Sequence, residues 1–354
     1  MLVSALQVTG FRNLAPTLLE PSGSFNVFSG NNGAGKTNLL EAIYLVATLR
    51  SFRTNHSSDL VRFGDSETRV RARVSRSGLE RLYEVAIQQG RKQVHLDGKI
   101  PRSVGDYFGD FNVVVFVPGD LQMPRGSPSL RRSFLDRSVF NRNAAFLGTA
   151  QQYVRSLRSR NHILRQAIPD RTLLSVYGEQ LCYWGNKVIL ARENYLAELA
   201  PKLSESMEAI TDGGVHVDVR YRKSAEDLAE ALAAELPRDL ARRQTTVGPH
   251  VDDLEFLLNG KAARTYASQG QLRALVLAWK TAEMNLLRDN LGSFPVFLLD
   301  DVSSELDPAR TREFFSALAE MQCQCFVTTT HPKHVLASDN RKDFRIVEGV
   351  VSVE

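Results

Sequence analysis

The stretch SGNNGAGKTNLLEAI, residues 29–43, constrains this fold more than any other. Three glycines and two asparagines stand ahead of a lysine, so the backbone there has unusual freedom. The preceding SFNVFSG is a short apolar run of strand character. The following KTNLLEAIYLVATLR has helical spacing, with Leu39, Leu40, Ile43, Val46 and Ala47 on one side. A glycine loop between strand and helix, with Gly30, Gly35, Lys36 and Thr37 in the pattern G-x-x-x-x-G-K-[ST], is a P-loop. Its glycines let the backbone wrap a phosphate chain with N–H groups pointing inward, and the helix N-terminus adds its dipole. Asn31, Asn32, Gly33 and Ala34 complete the cradle. Lys36 is expected to reach the β- and γ-phosphates, and Thr37 to ligate Mg²⁺. The spacing predicts a nucleoside triphosphate site.

Such a loop needs a second carboxylate for the metal. FPVFLLDDVSSELD supplies it, because Val296–Leu299 reads as a buried parallel strand ending in Asp300 and Asp301. Acids at the carboxyl end of such a strand lie where α/β sheets bind ligands. Asp300 is expected to hold Mg²⁺, and Asp301 to orient or deprotonate the attacking water. A solvated turn would leave two adjacent acids after a buried strand unexplained. Upstream, YASQGQLRALVLAWKTAE (266–283) sets Ser268, Gln269, Gly270 and Gln271 before a helix with Leu272, Leu275, Val276, Trp279 and Ala282 inward.

In that order, P-loop, S-x-G-Q before a helix, apolar strand with DD, and S-E-L-D resemble an ABC-type ATPase head. Ser268 stands 232 positions after Lys36, far more than in transporter subunits, so a large lobe is inserted between the motifs. SMC-like DNA repair proteins share that layout. Within them the chain resembles the bacterial RecF family, on GFRNL (10–14), GNNGAGKTNLLEAIY (30–44), RSFR (50–53), GSPSLRRSFLDR (126–137), TTVGPHVDDLEF (245–256), SQGQLRALVLAWK and LLDDVSSELD.

The resemblance implies an ATP-dependent protein of DNA repair, recombination, replication and the SOS response to DNA damage. It would bind double-stranded and gapped DNA and help load the recombinase at single-strand gaps with RecR and RecO. It further implies an ATP-dependent homodimer, in which Ser268, Gly270 and Gln271 of one copy close over the nucleotide of the other. Arg12 and Asn13 would lie near the α-phosphate or base, and His331, ending CFVTTTH, would contact the γ-phosphate. The signature departs from L-S-G-G-Q, reading Ala267-Ser268-Gln269-Gly270-Gln271. The second acid is an aspartate where transporter heads carry glutamate, which implies a slow, DNA-stimulated ATPase used as a switch. Gln122 is the one candidate for a Q-loop glutamine. Arg50 and Arg53 are expected either to sense DNA or phosphate or to be solvated.

The expected fold class is α/β: an ABC-type P-loop ATPase head, residues 1–129 and 244–354, with an inserted, mainly helical lobe at 130–243. Residues 130–202 carry twelve Lys/Arg against five acids, an excess of +7, while the remainder sums to −3. Val154, Leu157, Asn161, Leu164 and Ile168 have 3-4 spacing, Pro169-Asp170 breaks the run, and Leu174, Tyr177, Leu181, Trp184, Val188, Ala191 and Tyr195 resume it. That predicts a short antiparallel, coiled-coil-like pair. Arg155, Arg158, His162 and Arg165 share another face. With Arg131 and Arg132, these arginines are the expected DNA contacts, made to phosphates without sequence reading. Cys182, Cys323 and Cys325 match no zinc spacing and are expected as small hydrophobes. The alternating N-terminus and the absence of a long apolar run predict a cytoplasmic protein without membrane contact. A transporter ATPase subunit is the rival reading, and it predicts a shorter insertion.

Overall fold

The computed structural model describes residues 1–301, 308–330, 332, 335 and 341–354 of the 354-residue chain. His331 and the SSELD segment, 303–307, therefore lie outside the described residues. The chain divides into two compact units. The first comprises Met1–Asp120 and Glu283–Glu354, the second Leu121–Ala282.

In chain order the first unit supplies β1 (Leu2–Thr9), β2 (Thr17–Leu19), β3 (Phe25–Ser29), α1 (Lys36–Thr48), β4 (Glu67–Arg76), β5 (Leu79–Gln88), β6 (Arg91–Leu96), α2 (Val104–Tyr107) and β7 (Val113–Phe116). The second supplies α3 (Pro128–Arg142), α4 (Phe146–Leu164), α5 (Arg171–Ile210), β8 (Val217–Arg222), α6 (Leu228–Ala234), α7 (Leu236–Arg242), β9 (Asp253–Leu258), β10 (Lys261–Ala262) and α8 (Ala263–Tyr266). The division falls inside α9 (Gln269–Leu291), and the first unit resumes with β11 (Val296–Asp300), α10 (Pro308–Glu320), β12 (Cys325–Thr329), β13 (Lys342–Val347) and β14 (Val350–Val353).

Two sheets build the first unit. One is antiparallel, in the order β2-β1-β4-β5-β6. The other runs β14-β13-β3-β12-β11-β7, with every pair parallel except β13–β14. Parallel strands buried on both faces carry unbroken apolar runs, and β3, β7, β11 and β12 are buried at every residue. The helix α1 meets strands of both sheets: β4 and β5 on one side, β7, β11 and β12 on the other. A helix between two sheets has no solvent face, so the expected one-sided stripe is widened. Leu39 through Thr48 are all buried, including Glu41. Each of its aliphatic side chains fully removed from water contributes roughly 1.5–3 kcal/mol. Cys323 and Cys325 are buried, as expected of small hydrophobes.

In the second unit, α4 and α5 pack on one another. Asp170 turns the chain between them, its Oδ1 accepting from the N–H groups of Thr172 (2.8 Å) and Leu173 (3.1 Å) as an N-cap. The α5 stripe lies inward, with Leu174, Leu181, Val188 and Tyr195 buried. The α4 stripe does not lie where the apolar spacing put it. Val154 is 39% exposed and Ile168 89%. The inward side chains are Tyr153, Ser156, Arg160 and Ile163, with Leu164. The polar Ser156 and Arg160 occupy inward positions because Arg160 finds a buried anion. Its Nη1 donates to Asp239 Oδ2 at 2.6 Å and to Thr245 Oγ1 at 2.7 Å.

The chain returns to the first unit at 283 rather than at the expected 244. Residues 244–282 belong with the helical unit because β9 pairs with β8 over six residues, Val217↔Leu258 to Arg222↔Asp253. The chain turns between β9 and β10 at Asn259-Gly260, with φ of 48° and 75°. The helix α9 places Leu272, Leu275, Val276, Trp279 and Ala282 in the interior.

Candidate functional site

The loop Gly30–Gly35 leaves the carboxyl end of β3 and enters α1. Glycine is required at its ends for two separate reasons. At Gly30 a Cβ would lie 2.3 Å from the carbonyl oxygen of Ile346. At Gly35, the N-cap of α1, φ is 116°, in the left-handed region. The loop is braced from outside. Asn13 Nδ2 donates to Gly33 O (3.0 Å), and the Gly349 N–H at the β13–β14 turn donates to Ala34 O (2.9 Å). Lys36 Nζ donates to the carbonyls of Gly30 (2.7 Å) and Asn31 (3.0 Å), so the ammonium lies inside the loop's curl. Burial lowers the Lys36 pKa, while Asp301 and Asp300 oppose that shift.

Thr37 and Asp300, 263 positions apart, meet here. Thr37 Oγ1 donates to Asp300 Oδ1 at 2.8 Å and Oδ2 at 3.1 Å, and Thr328 Oγ1 donates to Oδ1 at 2.7 Å. Burial raises the Asp300 pKa, the two hydroxyls oppose it, and the neighbouring Asp301 raises it further. Asp301 sits at φ 49°, its N–H donating to Thr328 O (3.1 Å). The cleft of about 230 Å³ is lined by Asn32, Gly33, Gly35, Lys36, Thr37, Asn38, Arg53, Asp300 and Asp301. A Thr hydroxyl and a carboxylate oxygen 2.8 Å apart suit Mg²⁺. They match neighbouring vertices of an octahedron with bonds of about 2.1 Å, whose edge is about 3.0 Å.

Arg12 and Asn13 stand behind this cleft rather than in its lining. Arg12 pairs bidentately with Glu41, Nε–Oε2 3.0 Å and Nη2–Oε1 2.9 Å. Glu41 also accepts from Ser51 Oγ (2.5 Å). Asn13 Oδ1 accepts from Asn38 Nδ2 (2.7 Å), and Asn38 Oδ1 accepts from Arg53 Nη1 (2.6 Å). So Arg53 is positioned at the phosphate cleft. Sequence reasoning did not single out Asn38, Glu41 and Thr328. Asn38 and Glu41 stand three apart, at helical spacing to one another, on the helix that follows the P-loop lysine. Thr328 is brought to Asp300 only by the β11–β12 register, Asp300↔Thr328.

The signature segment belongs to the second unit. Ser268 N–H donates to Gln271 Oε1 (2.8 Å), and Gln271 N–H donates to Ser268 Oγ (3.2 Å). The pair forms a capping box that starts α9. Gln122 is exposed, at the end of a 3-10 turn.

The expected DNA contacts divide. Arg155, Arg158 and His162 are exposed on α4, and Arg165, its C-cap, is exposed just beyond it. Arg131 is not available to DNA. It is 2% exposed and bidentate to Asp253, with both bonds at 2.7 Å, and a third bond reaches Gly126 O at 2.6 Å. Arg132 is half-buried, with Nη1 on the Asp252 carbonyl at 2.6 Å. Arg142, Arg160 and Arg192 are likewise paired with Glu198, Asp239 and Asp136. Much of the basic excess of the lobe is thus spent on internal structure.

A glycine loop between a parallel strand and a buried helix, with the helix's own hydroxyl and an acid from the next strand but one at its mouth, defines a P-loop ATPase head. The family model for the RecF/RecN/SMC N terminal domain matches residues 2–352. The DNA replication and repair protein RecF of Myxococcus xanthus is 43% identical over 345 residues, covering 93% of this chain and 91% of that protein. That of Geotalea daltonii is 38% identical over 364 residues, 99% of this chain and all of that protein. Two solved structures, of the recombination mediator protein RecF-ATPrS and RecF-ATP in the RecFOR pathway, both superpose with TM-score 0.90. Their identities are 31% and 33%, and they cover 99% and 100% of this chain and 97% of each structure. An Smc head bound to a domain of ScpA, at 16% identity and TM-score 0.58, shares the fold. The chain belongs to the RecF family.

Proposed function

We propose that this chain is an ATP-dependent DNA-binding protein of replication and recombinational repair. The observation that carries this is the meeting of Thr37 with Asp300 at the mouth of the loop holding Lys36. ATP binds with its phosphates in the loop, Lys36 swinging from the loop carbonyls to the β- and γ-phosphates. Thr37 and Asp300 would hold Mg²⁺, which would supply charge neutralisation for the phosphates. Asp301 orients the attacking water, and hydrolysis is slow and DNA-stimulated.

Ser268 and Gly270 of a second copy close over the γ-phosphate, so ATP builds the dimer and its loss releases it. The dimer grips duplex DNA near single-strand gaps through phosphate contacts, with Arg155, Arg158 and Arg165 among them, and works with RecR and RecO in the cytoplasm. The relatives named for DNA replication and repair, matching over nearly the whole chain, favour this over a transporter subunit. Size measurement by light scattering tests it. ATP should convert monomer to dimer, and Ser268→Ala should abolish the dimer while the monomer still binds ATP. An equal dimer fraction with and without ATP refutes the composite site.

A further inference from the structure

One cation in the second unit lacks a counter-charge where it is most needed. Arg125 Nη2 donates to the carbonyl oxygen of Ala267 at 2.5 Å, one peptide unit before Ser268. Its Nε is buried and bonds to nothing among the described residues, and no described carboxylate pairs with it. The helix α9 begins at Gln269 and runs 23 residues, so its positive dipole end faces the same place. A guanidinium beside a helix N-terminus, paired with no carboxylate among the described residues, is electrostatically unfavourable until an anion faces both. A clamp on a backbone carbonyl alone needs only a neutral donor.

The surroundings hold Arg125 firmly. Gly126 N–H donates to Gln122 O at 2.6 Å, and Gly126 O accepts from Arg131, itself locked to Asp253. A Cβ at Gly126 would fall 2.7 Å from Gln122 O and 2.6 Å from Leu130 Cδ2, so the turn is tight. On the other side, the capping box leaves the Ser268 hydroxyl oxygen accepting from Gln271 N–H, with its proton still available to donate.

We propose that Arg125 is the cation that the signature end of α9 carries to the terminal phosphate of ATP held by a second copy. This rests on the composite site proposed above. Arg125 then acts in trans: it adds charge that the serine and the helix dipole alone do not supply, and it makes dimerisation depend on the γ-phosphate.

The test separates charge from clamp. Arg125→Gln keeps an N–H donor for the Ala267 carbonyl and removes the charge; Arg125→Lys keeps the charge. Dimer affinity is measured for the full chain by sedimentation in ATP and in ADP, with thermal midpoints recorded alongside. The expected result is a loss of about tenfold or more in ATP-dependent dimer affinity for Arg125→Gln, at unchanged midpoint and unchanged monomer ATP binding. Arg125→Lys should recover most of that affinity. If wild type dimerises with ATP and Arg125→Gln matches it, or if Gln and Lys variants fail equally with lowered midpoints, Arg125 is only a clamp and the proposal falls. If wild type itself does not dimerise with ATP, the composite site has failed instead.

Discussion

Replacing Asp239 by Asn removes one charge from the interior of the second unit and almost no volume. Asp239 is fully buried and Arg160 2% exposed, with Nη1–Oδ2 at 2.6 Å. The other carboxylate oxygen accepts from Thr246 N–H (2.8 Å) and Oγ1 (2.7 Å). An Asn keeps those two bonds through its carbonyl and turns an amide donor toward the guanidinium. The buried cation is left unpaired, at a cost of about 3–5 kcal/mol. Total domain stability is about 5–15 kcal/mol, so the loss is a large share. With a urea slope of about 1–3 kcal/mol/M, the midpoint should fall by at least about 1 M. The assay is intrinsic fluorescence, because the chain has two tryptophans and both, Trp184 and Trp279, lie in the second unit. Arg160→Met should cost less, since Asp239 retains the Thr246 donors, and Asp239→Asn/Arg160→Met together should cost less than the sum of those two singles. A loss under about 1 kcal/mol for Asp239→Asn, or strict additivity in the pair, would refute the claim that the ion pair holds the polar inward positions of α4.

Replacing Arg155, Arg158 and Arg165 together by Ala should weaken duplex DNA binding and reduce the salt slope by up to about three, with an unchanged urea midpoint; filter binding over a salt series reads it. Gly349→Ala should destabilise the first unit and weaken ATP binding, measured by thermal unfolding and titration. There φ is 82° and a Cβ would fall 2.0 Å from Asn13 O, so the turn must move off the loop it braces. Burial lowers the His250 pKa, so as pH falls through the ordinary imidazole range the unfolded chain takes up a proton more readily than the folded one. Stability should therefore fall with pH by up to about 1.4 kcal/mol per unit from this group, and His250→Gln should flatten that slope.

The phosphate loop was legible because its chemistry fixes its glycines. Gly30 and Gly35 stand where a side chain would strike a carbonyl or where φ is positive, and no other residue type serves as well. Asp300 was legible because a buried strand announces its own end. The strand β1 was legible in the alternation of the N-terminus, and β3 and β11 in their apolar runs. What failed rests on partners far away in sequence. Nothing near Arg160 says that Asp239 waits for it, so an apolar pattern chose Val154 and Ile168 for an interior that takes Tyr153, Ser156 and Arg160. Net charge likewise made Arg131 look free, whereas Asp253, 122 positions on, holds it. The end of the inserted unit was misplaced because β9 looks like any strand until its pairing with β8 is known.

The central claim is that ATP in this loop controls the hold on DNA. The most direct measurement is the affinity of the full chain for duplex DNA in ATP and in ADP, with Lys36→Arg beside wild type. Wild type should bind about tenfold or more tightly in ATP, a difference of about 1.4 kcal/mol or more, and Lys36→Arg should lose most of that gain. Equal affinity in the two nucleotides, or a gain that survives Lys36→Arg at full size, would contradict the account.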